Sequence, residues 1–149
     1  MRTHALVVAL AALAAVLVVS GCGSGGIATG GQTVEGTWTL APTTLSLSGT
    51  KAADAAELSI TTGTLSLQSA GGAMYASLSV TDSGGTQRVF AGTYSSSNST
   101  FTASDLTGTS GRAGIAGTLI VSNAMTGTLE IRDTGGSAYS GAFAAARPF

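Results

Sequence analysis

The sequence predicts an all-β fold, an antiparallel up-and-down meander of eight or nine strands closing into a small barrel. Three observations predict it. From Thr33 onward the apolar residues recur with period two, the period of a half-buried strand. Glycines recur inside those runs on the apolar face. Short segments rich in Gly, Ser, Asn and Asp separate the runs, and short connections join antiparallel neighbours.

The runs fall near 33–40, 43–49, 57–69, 73–81, 86–95, 99–106, 113–122, 124–132 and 138–147. Val34, Gly36, Trp38 and Leu40 share one face of the first. Met74, Ala76, Leu78 and Val80 share one face of the fourth, and Met125, Gly127, Leu129 and Ile131 one face of the eighth. Thr and Ser dominate the opposite faces, as suits sheet in water. The run 57–69 changes parity: Leu58 and Ile60 lie on one side, Leu65 and Leu67 on the other. Either Gly63 carries a bulge or Thr61-Thr62-Gly63-Thr64 is a turn. Lys51 to Glu57, KAADAAE, is the one helix-prone piece.

Glycine inside a strand costs about 0.5–1 kcal/mol relative to Ala. Here the pattern apolar-x-Gly-x-apolar occurs around Gly36, Gly92, Gly117, Gly127 and Gly141. A tightly coiled small barrel explains it, because its strands bend sharply and its tapering interior leaves some inward positions no room for a side chain.

The first residues are not part of this pattern. Arg2 and His4 precede Ala5 to Val19, a run without charge. As a helix it would be about 22 Å long, short of the roughly 30 Å hydrocarbon core, which suits a secretory signal. Val19-Ser20-Gly21-Cys22 resembles the lipobox of bacterial lipoproteins. That resemblance implies cleavage before Cys22 and acylation of its thiol. Gly23 rather than Asp then implies the outer membrane in a two-membrane cell, and otherwise the outer face of the cytoplasmic membrane. Residues 23–32, GSGGIATGGQ, have the composition of a flexible tether. The expected organisation is signal peptide 1–21, lipidated Cys22 with its tether 22–32, and barrel 33–149. Beyond the signal, five cations face seven carboxylates without any basic cluster, so no nucleic-acid partner is expected. Outward Thr, Ser, Glu and Arg also disfavour a membrane-spanning barrel.

Gly36-x-Trp38 in the first strand, the meander, and the steps GTY (92–94) and GTL (117–119, 127–129) resemble the calycin group, the lipocalin-like and avidin-like small barrels. The last strand, GAFAAAR (141–147), is similar to that of many small bacterial lipoproteins. The resemblance implies that Arg147 packs across Trp38 to close one barrel end. It also implies a ligand lining drawn from Leu40, Met74, Leu78, Phe90, Tyr94, Leu119, Leu129 and Phe143. The chain departs from secreted lipocalins in having a single Cys, and so no internal disulfide, and in lacking a large first loop. Its inward residues are small, which leaves open a filled barrel.

Two stretches look catalytic. Asp82-Ser83-Gly84-Gly85 and Asp133-Thr134-Gly135-Gly136 carry the Asp-Ser/Thr-Gly of aspartic proteases, and the first also the Asp-Ser-Gly-Gly of trypsin-like enzymes. A serine nucleophile needs a histidine base, and the only histidine is His4, in the signal. An aspartic dyad needs an apolar shell, whereas Thr81 and Arg132 precede these carboxylates. Turns fit better, with Asp accepting backbone amides and Gly-Gly supplying positive φ. Zinc wants His or Cys, and calcium would need the two Asp loops to meet. Asp105 shares the parity of Phe101 and Ala103, which would turn it inward, whereas such a residue more often sits at a strand end in water. The expected function is a non-catalytic, lipid-anchored envelope protein without cofactor or metal, binding a small apolar ligand or an envelope component. The alternative is a structural or interaction lipoprotein with a filled barrel, and an aspartic-type hydrolase comes third.

Overall fold

Inward side chains and sharp coiling close the sheet on itself. The structure, a computed structural model, describes residues 33–48 and 56–148. The signal segment, Cys22, the tether and most of the helix-prone piece (51–55) lie outside the described residues. The strands are β1 (Gly36–Leu40), β2 (Thr43–Leu47), β3 (Glu57–Ala70), β4 (Ala73–Asp82), β5 (Gln87–Thr93), β6 (Ser95–Ser97), β7 (Thr100–Gly108), β8 (Gly111–Val121), β9 (Ala124–Asp133) and β10 (Ala138–Ala146). All pairings are antiparallel.

These ten strands make eight staves. β1 and β2 lie end to end, because both pair with β3 on one side and with β10 on the other. The break between them is Ala41-Pro42, where proline has no N–H to donate. Ala41 N still donates to Ala144 O at 2.9 Å, so the stave stays attached to β10 across the break. β5 and β6 likewise form one stave along β7, interrupted at Tyr94. First and last staves meet at Thr39 opposite Ala146, and the barrel is closed.

Period two reads the inward face correctly along most of the chain. Trp38, Leu45, Leu65, Leu67, Leu78, Phe90, Leu106, Met125, Leu129 and Ile131 have no exposed surface and belong to one core. The pattern fails at three register defects, in β3, in β7, and in β8, where the pairing with β9 slips between Leu119 and Val121. In β3 the pairing with β4 slips between Ile60 and Thr62, so the parity change falls at Thr61 rather than at Gly63, and β3 continues through it without a turn. In β7 the pairing with β8 slips between Ala103 and Leu106. That bulge turns Leu106 inward and Asp105 outward, where it pairs with Arg112 at 3.4 Å. Of the two readings of Asp105, the one that leaves it in water holds.

The strand glycines have two uses. A Cβ on Gly117 would lie 2.6 Å from Phe101 Cε1 and 3.2 Å from Phe143 Cζ, so this glycine is the seat of two inward rings. A Cβ on Gly127 would instead lie 1.9 Å from the backbone oxygen of Ala116, in the neighbouring strand. Gly117 and Gly127 are paired in register, so β8 and β9 both lack a side chain at this point.

Candidate functional site

Each mouth of the barrel has its own character. One mouth carries the turns 71–72, 98–99 and 122–123 and both ends of the described chain. The other carries the turns 83–86, 109–110 and 134–137.

At the first mouth the structure brings Trp38 and Arg147 together. The indole has no exposed surface and donates from Nε1 to Val34 O at 2.8 Å. The Arg147 guanidinium lies over the ring, 4.4 Å from its centroid. Each of its three nitrogens donates to a backbone carbonyl: Nε to Ser122 O at 2.8 Å, Nη2 to Thr33 O at 3.2 Å, and Nη1 to Glu35 O. Gly36 makes room, since a Cβ there would come within 3.1 Å of Arg147 Nη1. The planar fork of arginine suits this role, because it can stack and donate in its own plane at once. One side chain thus joins the chain before β1, the β8–β9 turn and the end of β10.

Tyr94, at the break between β5 and β6, is an inward residue of this mouth. It is buried, and its hydroxyl has no hydrogen-bond partner among the described residues. Burial pushes the Tyr94 hydroxyl pKa above its ordinary value of 10.0, and the Glu35 carboxylate adds to the rise. Met74 is beside it, partly buried, with its carbonyl accepting from Tyr94 N at 3.2 Å and its sulfur from Ser96 Oγ at 3.7 Å. The other residues of the expected lining, Leu40, Leu78, Phe90, Leu119, Leu129 and Phe143, all belong to the same core. Leu78, Phe90 and Leu129 meet no solvent.

The second mouth is held by the twin Asp turns. Asp82 N donates to Thr86 O at 3.0 Å, and Asp133 N to Ser137 O at 2.9 Å. Gly85 N and Gly136 N return to the Asp carbonyls, and both glycines have positive φ. Asp82 Oδ1 accepts from Gly84 N and Thr86 N, each at 2.9 Å, and Asp133 Oδ1 from Ser137 N at 2.9 Å. The two loops are one design, and each carboxylate is engaged by its own turn. Arg88, which sequence reasoning left unassigned, pairs with Asp82 Oδ2 at 3.4 Å and is largely buried there. Its parity with Phe90 was the signal that places it inward. Among the described residues no three His, Cys, Asp or Glu side chains gather as a metal site.

A groove of about 580 Å³ runs along the outer wall over β7 to β10. Its floor is small, with Gly114 and Ala116, and its rim carries Asp105, Arg112, Glu130 and Arg132. The charges are already paired, Arg112 with Asp105 at 3.4 Å and Arg132 with Glu130 at 2.6 Å. No run of sequence announces this groove, because it exists only once four strands lie side by side.

No protein-family model matches the chain, and no curated protein does. Among solved structures the chain is similar to EF1p2_mFAP2b bound to DFHBI, at 16% identity and TM-score 0.56, over 76% of this chain and 93% of that one. It is also similar to a redesigned beta barrel, b11L5F_LGL, at 18% identity and TM-score 0.48, over 77% of this chain and 91% of that one. At such identity the likeness concerns the fold: a small closed antiparallel β-barrel.

Proposed function

We propose that the protein is a non-catalytic, lipid-anchored barrel of the bacterial envelope that takes a small, mostly apolar ligand at the Trp38–Arg147 mouth. The observation that carries the binding is Tyr94. A buried hydroxyl without a partner costs about 1–3 kcal/mol, and such a group is worth keeping where something else completes its bond. Apolar walls with one placed polar group are the ordinary anatomy of a small-molecule site. Met74, Tyr94 and Leu119 form the wall on this reading, and the deeper lining, Leu78, Phe90 and Leu129, sets how far a ligand enters. The neighbour bound to DFHBI supports the reading to the extent that a barrel of this fold holds a small molecule. The lipobox resemblance at Cys22 supports the anchor and the envelope location.

The closed interior favours a second reading, a filled barrel that presents its Thr/Ser wall to an envelope protein. Thermal melting of the protein with palmitate and with 1-naphthol separates the two. Binding raises the melting temperature, and Tyr94→Phe reduces that rise because the ligand loses its donor. Unchanged melting with both compounds sinks the ligand reading.

Tyr94 also gives a pH test. Its folded pKa is raised, so the folded barrel keeps a proton that the unfolded chain releases near pH 10. Stability therefore falls as pH rises through and above 10, and it is unaffected by this group below that value. Tyr94→Phe removes that part of the fall, as urea midpoints across pH 8 to 11 would show.

A further inference from the structure

The geometry points to a second contact with the membrane besides the anchor: the β8–β9 hairpin tip, with Ile120 and Val121 leading, touches the lipid surface. The contact surface rests on the lipoprotein reading above, and three observations on the barrel itself carry it.

The first is where the chain leaves. Thr33 O and Ser122 O accept from the same guanidinium, that of Arg147. The start of the barrel and the tip of the β8–β9 hairpin are therefore tied to one point. Cys22 lies eleven residues before Thr33, and such a segment spans at most about 40 Å even fully extended. An anchor at Cys22 thus joins the barrel from the side of this mouth along the chain, and not from the Asp-turn mouth.

The second is exposed apolar surface. Ile120 is 52% and Val121 45% exposed, at the end of β8 beside that tip. They are consecutive, and the slip in β8–β9 pairing between Leu119 and Val121 turns both outward. Tyr75, 51% exposed, stands at the same mouth on β4.

The third is charge. Of the charged side chains among the described residues, only Glu35 and Arg147 lie at this mouth. Glu57, Asp82, Arg88, Arg112, Arg132 and Asp133 stand at or beside the opposite mouth, with Asp105 and Glu130 paired to two of them. Arg147 is already satisfied by three carbonyls and a ring. A face with exposed Ile, Val and Tyr and almost no charge fits a lipid interface, and the charged mouth fits water.

The test uses the full mature protein on vesicles of phosphatidylethanolamine and phosphatidylglycerol containing nitroxide lipids. Cys22 is the only cysteine, so a fluorophore on Ser122→Cys or on Ser83→Cys reports one mouth each once Cys22 is acylated. The Ser122→Cys label is quenched more strongly than the Ser83→Cys label. Ile120→Asp with Val121→Asp removes that excess, and the milder Ile120→Ser with Val121→Ser removes part of it. Equal quenching at both mouths in acylated protein overturns the lipid contact alone. An intact mass showing unmodified Cys22 overturns the anchor instead, and with it the orientation. A dimer that Ile120→Asp dissolves, with quenching unchanged, assigns the patch to a second copy and overturns the contact.

Discussion

Trp38→Ala lowers the stability of the barrel by about 3–5 kcal/mol, the usual range for deleting a buried aromatic side chain. The ring has no exposed surface, so its whole area returns as a cavity or as collapse of the mouth. Two further losses follow. Val34 O loses the indole donor, and the Arg147 guanidinium loses the face it covers. Domains of this size are stable by about 5–15 kcal/mol in total, so this variant approaches the point of unfolding. Arg147→Lys keeps the charge but cannot serve carbonyls of Thr33, Glu35 and Ser122 in one plane. Its cost is smaller, about 1–2 kcal/mol, because the group is only partly buried. A double-mutant cycle between the two positions gives a coupling of about 0.5–2 kcal/mol, the worth of the stacked contact. Guanidinium unfolding with an unchanged slope is the measurement. A Trp38→Ala barrel that unfolds at the wild-type midpoint would show that this mouth is not closed by the pair.

That the sheet closes was legible in the sequence, because period two places Trp38 inward and a closed meander must bring the last strand beside the first, whereas the place of Arg147 over Trp38 was implied only by the calycin resemblance. The order of eight staves was legible for the same reason, with one difference: 33–40 and 43–49 read as two strands but lie end to end across Pro42. What period two cannot carry is the site of a bulge. Thr61, Thr62 and Gly63 suit either face, so the parity change in β3 was visible while its place was not. In β7 the clash of parity between Phe101 and Leu106 was present in the sequence, and it is Leu106 that decides where Asp105 points. Arg88 carried no assignment from the sequence: its stem follows Phe90 into the second mouth, and Asp82 meets it there. The unpartnered Tyr94 hydroxyl and the outer groove are properties of neighbours distant in the chain. Neither has a local signature, since the Tyr94 hydroxyl is isolated only by what packs around it, and the groove by what lies beside it.

The strand glycines let the barrel geometry be tested without touching the mouth. Gly127→Ala destabilises by about 3 kcal/mol or more, because the new Cβ meets the backbone of β8 and a backbone cannot move aside without parting the ladder. Gly117→Ala costs less. Its nearest atoms belong to the rings of Phe101 and Phe143, and rings shift at smaller cost than strands. Gly114→Ala is the control in the same strand as Gly117. Its nearest atom would be 3.5 Å away, an ordinary contact, and its φ lies outside the left-handed region, so the change is neutral or stabilises by up to about 1 kcal/mol. The three variants differ by the same single methyl group, so propensity alone predicts equal small gains for all of them. Closure predicts a steep order, Gly127 worst and Gly114 harmless, with β8–β9 amide exchange rising selectively in Gly127→Ala. Three equal melting temperatures would mean that β8 and β9 do not approach as closely as a tightly coiled barrel requires, and the reason for glycine on this face would have to be sought elsewhere.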